Sequence, residues 1–475
     1  MASPSFYAML GRFPDEKSDR AAITLREAVK WKSSKRHASA TDNPSRAVLT
    51  LIVGPHSMRT ARLRTQPLRW RITMIERVRL ALLAVLLVVA LTTPALAQKP
   101  VKIGVLTPLS PPGDAAAGQF IARGAKMGAE EVNARGGVLG GRKIELVVED
   151  DSGTPEKGAA GFRKLATQDQ AVAVVGQFHS SVMTAVQALA EQFKVPVFST
   201  QASARQITEQ HLNYTFRTHV IDPDRCQMWT RWVKERGFKR AALITENTDY
   251  GVGLVDETKK AFASLYPGAE LKTIIFDRAV VDLTPQLLEI KNWKPDVLLN
   301  GGIGTPMYLI VKQAFDVGLH PAVPMLISYD APTRPEYWKN LGEKGTWASF
   351  IVYYHPTMKL TTRGEAFRKK YMAEFKEDPI YGALNGYSQV VLLADALNAA
   401  KSDKTDDLLK ALLAGKFEGW NGTISFTRGE GPYWQQWTPP MLVTQYTKPE
   451  MAFAEVKIVY PAELKTGDWM AAPKR

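Results

Sequence analysis

The sequence predicts an α/β protein made of two successive doubly wound parallel-sheet lobes. Three observations predict it. From Val101 onward, short apolar runs alternate with amphipathic stretches of roughly ten to fifteen residues, the rhythm of βαβ units. That rhythm breaks near residues 218–222 and then restarts. With 475 residues, 45% of them hydrophobic and 23% charged, the chain is long enough and ordinary enough for more than one globular core.

In the first half, VKIGVL is a strand. A helix over 118–134 ends at Gly136-Gly137, where glycine stops a helix readily. KIELVVED is the next strand, followed by a helix over 155–168 opened by Pro155. AVAVVG, a helix over 181–193 and VPVFST complete this half. The second half repeats the pattern. The strand AALIT leads to a helix over 251–265, then LKTIIF, a helix over 285–291, DVLLNGG, a helix over 307–317 and PMLIS. Three more helices, over 363–375, 385–400 and 406–413, precede an aromatic-rich strand region over 419–446. That tail has few turn signals for a domain of its own and is expected to pack back onto the two halves.

Residues 74–98 read MIERVRLALLAVLLVVALTTPALAQ. Arg77 and Arg79, an uncharged apolar run of 12 residues and Ala95-Leu96-Ala97 are the three parts of a secretory leader. The run is too short to span a bilayer comfortably. No cysteine follows it, which argues against lipid anchoring. Residues 1–73 are read as a non-native or disordered extension, with Met74 as the true start and Gln98 as the first mature residue. The expected location is periplasmic, through signal peptide 74–97.

The formal net charge of +14 suggests nucleic acid until it is located. Residues 1–97 hold 16 Lys/Arg against 6 Asp/Glu, so the remainder carries only +4. No nucleic-acid partner is expected. The single cysteine, Cys226, permits no intramolecular disulfide, and its surroundings match no nucleophile signature. The chain contains no H-E-x-x-H, G-x-S-x-G, C-x-x-C or G-x-x-x-x-G-K-[ST] motif. No enzyme, cofactor or metal site is therefore expected. Gly251-Val252-Gly253 lacks the rest of a dinucleotide loop, and Asp150-Asp151 ends a strand and is read as structural or rim.

IGVLTPLS, GAKMGAEEVNARGGVLGGRKIELVVEDDSGTP, VVGQFHSS, PVFSTQASA, TENTDYGVG and DVLLNGG occur in that order. In these motifs the chain resembles the leucine/isoleucine/valine-binding proteins of bacterial ABC importers, from about residue 101 to 446. The resemblance implies a type I periplasmic-binding fold, with the lobes joined by a three-stranded hinge near 218–222, 350–356 and 440–446. Lobe 1 would comprise 98–220 plus 353–442, and lobe 2 would comprise 221–352 plus 443–475. It implies a monomer that captures an amino-acid-like small molecule in the interlobe cleft and delivers it to membrane permease subunits. The alternatives are a ligand-sensing subunit of a signalling system on the same fold, or a binder of an amide or an aromatic acid.

In open α/β sheets ligands bind outside the carboxyl ends of the strands. Ser180 follows AVAVV, where its hydroxyl and the first N–H groups of a helix suit a carboxylate; it could instead only cap that helix. By resemblance, the Gln201 backbone would accept from a ligand ammonium and the Ser203 hydroxyl would touch its polar head. Tyr250 would fold over the ligand from the second lobe, and Asp330 would pair with the ammonium unless it is merely a solvated loop residue. Ile303 stands where these binders commonly carry an aromatic, which puts the leucine-type pocket in doubt. Trp434, Trp437, Tyr353 and Tyr354 are further wall candidates, or else core and hinge packing.

Overall fold

The computed structural model describes residues 99–473, together with the single positions Met74 and Arg79. Apart from those two positions, the extension 1–73 and the leader 74–97 lie outside the described residues. The first half runs β1 (Val101–Thr107), α1 (Ala115–Ala134), β2 (Ile144–Asp150), α2 (Pro155–Thr167), β3 (Ala173–Gln177), α3 (Ser180–Phe193), β4 (Val197–Ser199), α4 (Gln206–Glu209) and β5 (Thr215–Arg217). The second runs α5 (Asp222–Glu235), β6 (Arg240–Glu246), α6 (Asp249–Leu265), β7 (Glu270–Phe276), α7 (Thr284–Trp293), β8 (Val297–Gly301), α8 (Thr305–Asp316), β9 (Met325–Ile327), α9 (Glu336–Leu341) and β10 (Ala348–Val352). The tail adds α10 (Thr362–Phe375), α11 (Tyr381–Ala400), α12 (Thr405–Ala414), the small pair β11 (Phe417–Glu418) and β12 (Thr423–Ile424), then β13 (Thr427–Arg428), β14 (Trp434–Gln436), β15 (Leu442–Gln445) and β16 (Lys457–Tyr460).

Two sheets of seven strands result, ordered β13-β14-β5-β4-β3-β1-β2 and β16-β15-β10-β9-β8-β6-β7. Within each, the five strands of the repeated half pair in parallel. The tail strands join at one edge: β13 runs antiparallel to β14, and β15 runs antiparallel to both β10 and β16. In the first sheet β1 lies between β2 and β3; in the second, β6 lies between β7 and β8. The winding reverses at those central strands. Loops leaving β1 and β3, and likewise β6 and β8, therefore part and open a crevice at their carboxyl ends.

The chain passes between the sheets three times, over 218–221, 353–361 and 437–441. The tail does pack back onto the earlier halves. Sixteen of the 20 residues of α11 are buried, and it lies against α1 in lobe 1. Glycine makes that contact possible. A Cβ on Gly124 would sit 1.9 Å from the Ala383 carbonyl oxygen, and one on Gly386 would sit 2.4 Å from that of Ile121. The periodic reading omitted α5 and two sheet strands, β5 and β10. No element is expected where α5 lies, just after the break in rhythm at 218–222, yet Pro223 in the first turn and the buried Cys226, Trp229, Trp232 and Val233 form a helical stripe.

Candidate functional site

The strand-end loops of the two lobes close on each other around a small cavity of about 20 Å³. Phe178, Ser180, Gln201 and Ser203 line it from lobe 1, Tyr250, Ile303, Tyr329 and Arg225 from lobe 2, and His219 from the first passage between lobes. Five of the six side chains singled out in the sequence thus meet here. The sixth, Asp330, is next to Tyr329 and is hydrogen-bonded to Gln201.

Ser180 opens α3, but it does not cap it. Its Oγ accepts from the backbone N–H groups of Ser203 and Ala204, both at 3.2 Å, which leaves its own proton to give. The neighbouring Ser181 Oγ instead crosses the cleft, accepting from the Asp249 N–H at 3.0 Å. The side-chain amide of Gln201 donates to Asp330 Oδ1 at 3.3 Å, again between lobes. Ser203 Oγ accepts from Arg225 Nη1 at 3.1 Å.

Tyr250 is the second residue of α6. Thr248, whose Oγ1 accepts from the Gly251 N–H, caps that helix and fixes where the ring points. The phenol and the Ser328 hydroxyl lie 2.6 Å apart, and the Arg225 guanidinium stands 5.5 Å from the ring centre. Ile303 lies in the turn after β8, in a site that does hold an aromatic from another position. Tyr329 lines the cavity, and its hydroxyl accepts from the Gly304 N–H at 2.6 Å. Asp330 is a buried residue, not a solvated one, and its Oδ2 has no hydrogen-bond partner among the described residues. Burial pushes its carboxyl up, opposed by Arg334 and by the Gln201 amide.

Trp434, Trp437, Tyr353 and Tyr354 are not among the cavity walls. Trp434 stacks on His211, 4.6 Å between ring centres, and Tyr353 reaches the cavity through Arg225 and His219. Cys226 is fully buried, and burial holds its thiol well above the ordinary range, as suits a packing residue. Asp150 accepts from the backbone N–H of Ser152 in its own turn and of Leu109 in the loop after β1, and Gly153 donates to Asp151.

Two cross-lobe ion contacts escaped the sequence reading. Arg334 Nη1 lies 2.8 Å from both carboxylate oxygens of Asp114, and both side chains are buried. Arg278 of lobe 2 donates to the carbonyls of Gly153 and Pro112 in lobe 1 and lies 3.1 Å from His179 Nε2. Burial first, then Arg278, holds the His179 imidazole well below its ordinary value.

Residues 100–448 match a protein family described as periplasmic binding protein. This chain belongs to that family. It is 29% identical over 343 residues to Leu/Ile/Val-binding protein homolog 1 of Brucella suis biovar 1, covering 70% of this chain and 87% of the relative. It is 29% identical over 322 residues to an amino acid binding protein of Pseudomonas aeruginosa, covering 67% and 83%. Among solved structures, the leucine binding protein LivK of Thermotoga maritima superposes with a TM-score of 0.67 at 24% identity, covering 75% of this chain and 97% of that one. The branched-chain amino acid substrate-binding protein LivJ of Streptococcus pneumoniae, in complex with isoleucine, gives 0.66 at 25%, covering 76% and 100%. The doubly wound lobes are thus those of type I periplasmic binding proteins of the ABC-transporter type.

Proposed function

We propose that this chain is a periplasmic receptor that captures a small zwitterion resembling an amino acid in the interlobe cavity and delivers it to the permease subunits of an ABC importer. The observation that carries the ligand class is Asp330. Two other buried carboxylates at the cleft are ion-paired, Asp114 with Arg334 and Asp222 with Arg225. Asp330 has no bonded cation: Arg334 acts on it only from a distance, Gln201 donates to one oxygen, and the other has no hydrogen-bond partner among the described residues. A buried carboxylate without a directly bonded cation is costly, and a ligand ammonium would supply one. Ser180, with its proton free to give, is suited to the ligand carboxylate. The motion is lobe closure about the three passages.

A second reading, an aromatic acid or an amide, draws on the Gln201 amide already held by Asp330 and on the rings of Phe178, Tyr250 and Tyr329 at the cavity. Calorimetry on the chain from Gln98 decides between them, using the standard L-amino acids, their carboxamides, their deaminated acids and benzoic acids. An amino acid should bind at least about tenfold tighter than its deaminated form, which is about 1.4 kcal/mol. Equal or tighter binding of an acid lacking the amine overturns the zwitterion reading.

A further inference from the structure

Arg225 was singled out by no sequence motif, yet it touches more of the cleft machinery than any residue that was. It is 2% exposed and sits in the first turn of α5, where the chain enters lobe 2. Its Nη1 donates to Ser203 Oγ at the cavity wall at 3.1 Å and to Asp222 Oδ1 at 2.9 Å. Its Nη2 reaches Tyr353 Oη at 3.0 Å and His219 Nε2 at 3.3 Å. His219 lies in the first passage between lobes, and Tyr353 opens the second.

Because guanidinium only donates, the direction of every bond beyond it follows. His219 Nε2 must accept, so its proton is on Nδ1, which faces Tyr381 Oη at 3.2 Å. Tyr381 in turn donates to the Thr218 carbonyl at 2.8 Å, back in the first passage. Asn385 donates to that same carbonyl at 2.8 Å and to the Thr200 carbonyl, next to Gln201, at 2.7 Å. The path leaves the cavity wall at Ser203, runs through two of the three passages, and returns to the cavity loop at Thr200.

We propose that Arg225 is the positioning residue that sets the angle between the lobes: one side chain ties the cavity wall to two of the hinge passages. Ser203 then acts on the ligand chiefly through its place in this chain of bonds. Four of the five guanidinium N–H groups are held by protein acceptors and Asp222 balances the charge, so the side chain is fixed before any ligand arrives. The functional meaning rests on the proposed ligand cavity, but the test is made without ligand, so its failure is distinct from failure of the ligand screen.

Two dyes attached at Lys126→Cys on α1 and Lys259→Cys on α6, both exposed positions, report the interlobe distance in the whole chain by single-molecule energy transfer. The buried Cys226 leaves only the introduced thiols to react. Two variants are compared with the parent. The Asp222→Asn/Arg225→Gln pair removes both charges together, so neither is stranded. Tyr353→Phe removes only the hydroxyl at the second passage and leaves the cavity wall intact. Both should lengthen and broaden the interlobe distance, the double variant more, while Tyr353→Phe melts within a few degrees of the parent. If the double variant does not fold, Tyr353→Phe decides alone. An unchanged distance distribution in the folded variants overturns the proposal.

Discussion

The side-chain amide of Gln201 spans the cleft to Asp330 Oδ1 at 3.3 Å, so a neutral donor of lobe 1 stands on the carboxylate of lobe 2. That bond joins the lobes and half-satisfies the charge, leaving Oδ2 for a stronger donor. Asp330→Asn keeps the shape and removes the charge. Affinity for an ammonium-bearing ligand should fall by at least about 2 kcal/mol, roughly thirtyfold. The unliganded protein should melt no lower, because a buried carboxylate that no cation bonds directly has gone. Titration calorimetry beside a thermal melt checks both; full affinity in the variant would remove Asp330 from the site.

Tyr250 offers a separable pair of effects. Tyr250→Phe loses only the short contact with Ser328, whose hydroxyl is then stranded, at about 1–3 kcal/mol of stability. Tyr250→Ala also loses the ring that lines the cavity, and should raise the ligand off-rate far more than it lowers the on-rate. Stopped-flow traces that show the change mainly in association would contradict a cover closing from lobe 2.

The Asp114–Arg334 pair is buried at both ends and joins the lobes. Removing one partner from such a pair costs about 3–5 kcal/mol where the other charge must stay buried. Here opening the cleft would return Asp114 to water. Arg334→Met should therefore favour the open form in preference to unfolding. Small-angle scattering of unliganded Arg334→Met should give a larger radius of gyration than the parent; an equal radius with an intact fold refutes the latch.

Asp151 supplies a pH signature. Burial raises its carboxyl from 3.8 to about 6, against the pull of the Gly153 N–H and the Gln177 amide. An acid whose folded pKa is raised contributes stability that is complete below its unfolded value and is lost as pH rises through its folded one. The window is thus from about pH 4 to about pH 6, and the loss is about 3 kcal/mol. Asp151→Asn should flatten that part of the stability–pH curve in urea titrations. An identical slope in variant and parent would assign the titration elsewhere.

Cys226 should be silent in the native state. It is fully buried with its thiol held up, so Ellman's reagent should label it only at the rate of unfolding. Rapid stoichiometric labelling in buffer would mean that α5 opens locally.

The parts of this protein that were legible in its sequence share a local cause. Strand ends and helix starts leave short-range patterns, so the loops carrying Ser180, Gln201, Ser203, Tyr250 and Asp330 could be found from periodicity and motif. Arg225 was missed because its helix begins at the joint between halves, where a break in rhythm was expected, although Pro223 and the stripe from Cys226 to Val233 were there to be read. The Asp114–Arg334 pair had no such signal. Its partners are 220 residues apart, and only the two-lobed topology brings them together. The same holds for Tyr329, which brings an aromatic ring to a site where the sequence register placed Ile303.

The weaving of the chain through both lobes bears on how the molecule is made. Helix α1 emerges early in synthesis, but the face that carries Gly124 waits for α11, more than two hundred residues behind it. The first sheet lacks its edge until β14 is translated, and the second lacks its own until β15 and β16 follow. Lobe 1 cannot finish until nearly all of lobe 2 has been made, and lobe 2 waits for the last strands of all, so the nascent chain has no early domain to lock into place. Such long-range closure is slow. A polypeptide that stays open until its last strands appear is one that can still be threaded.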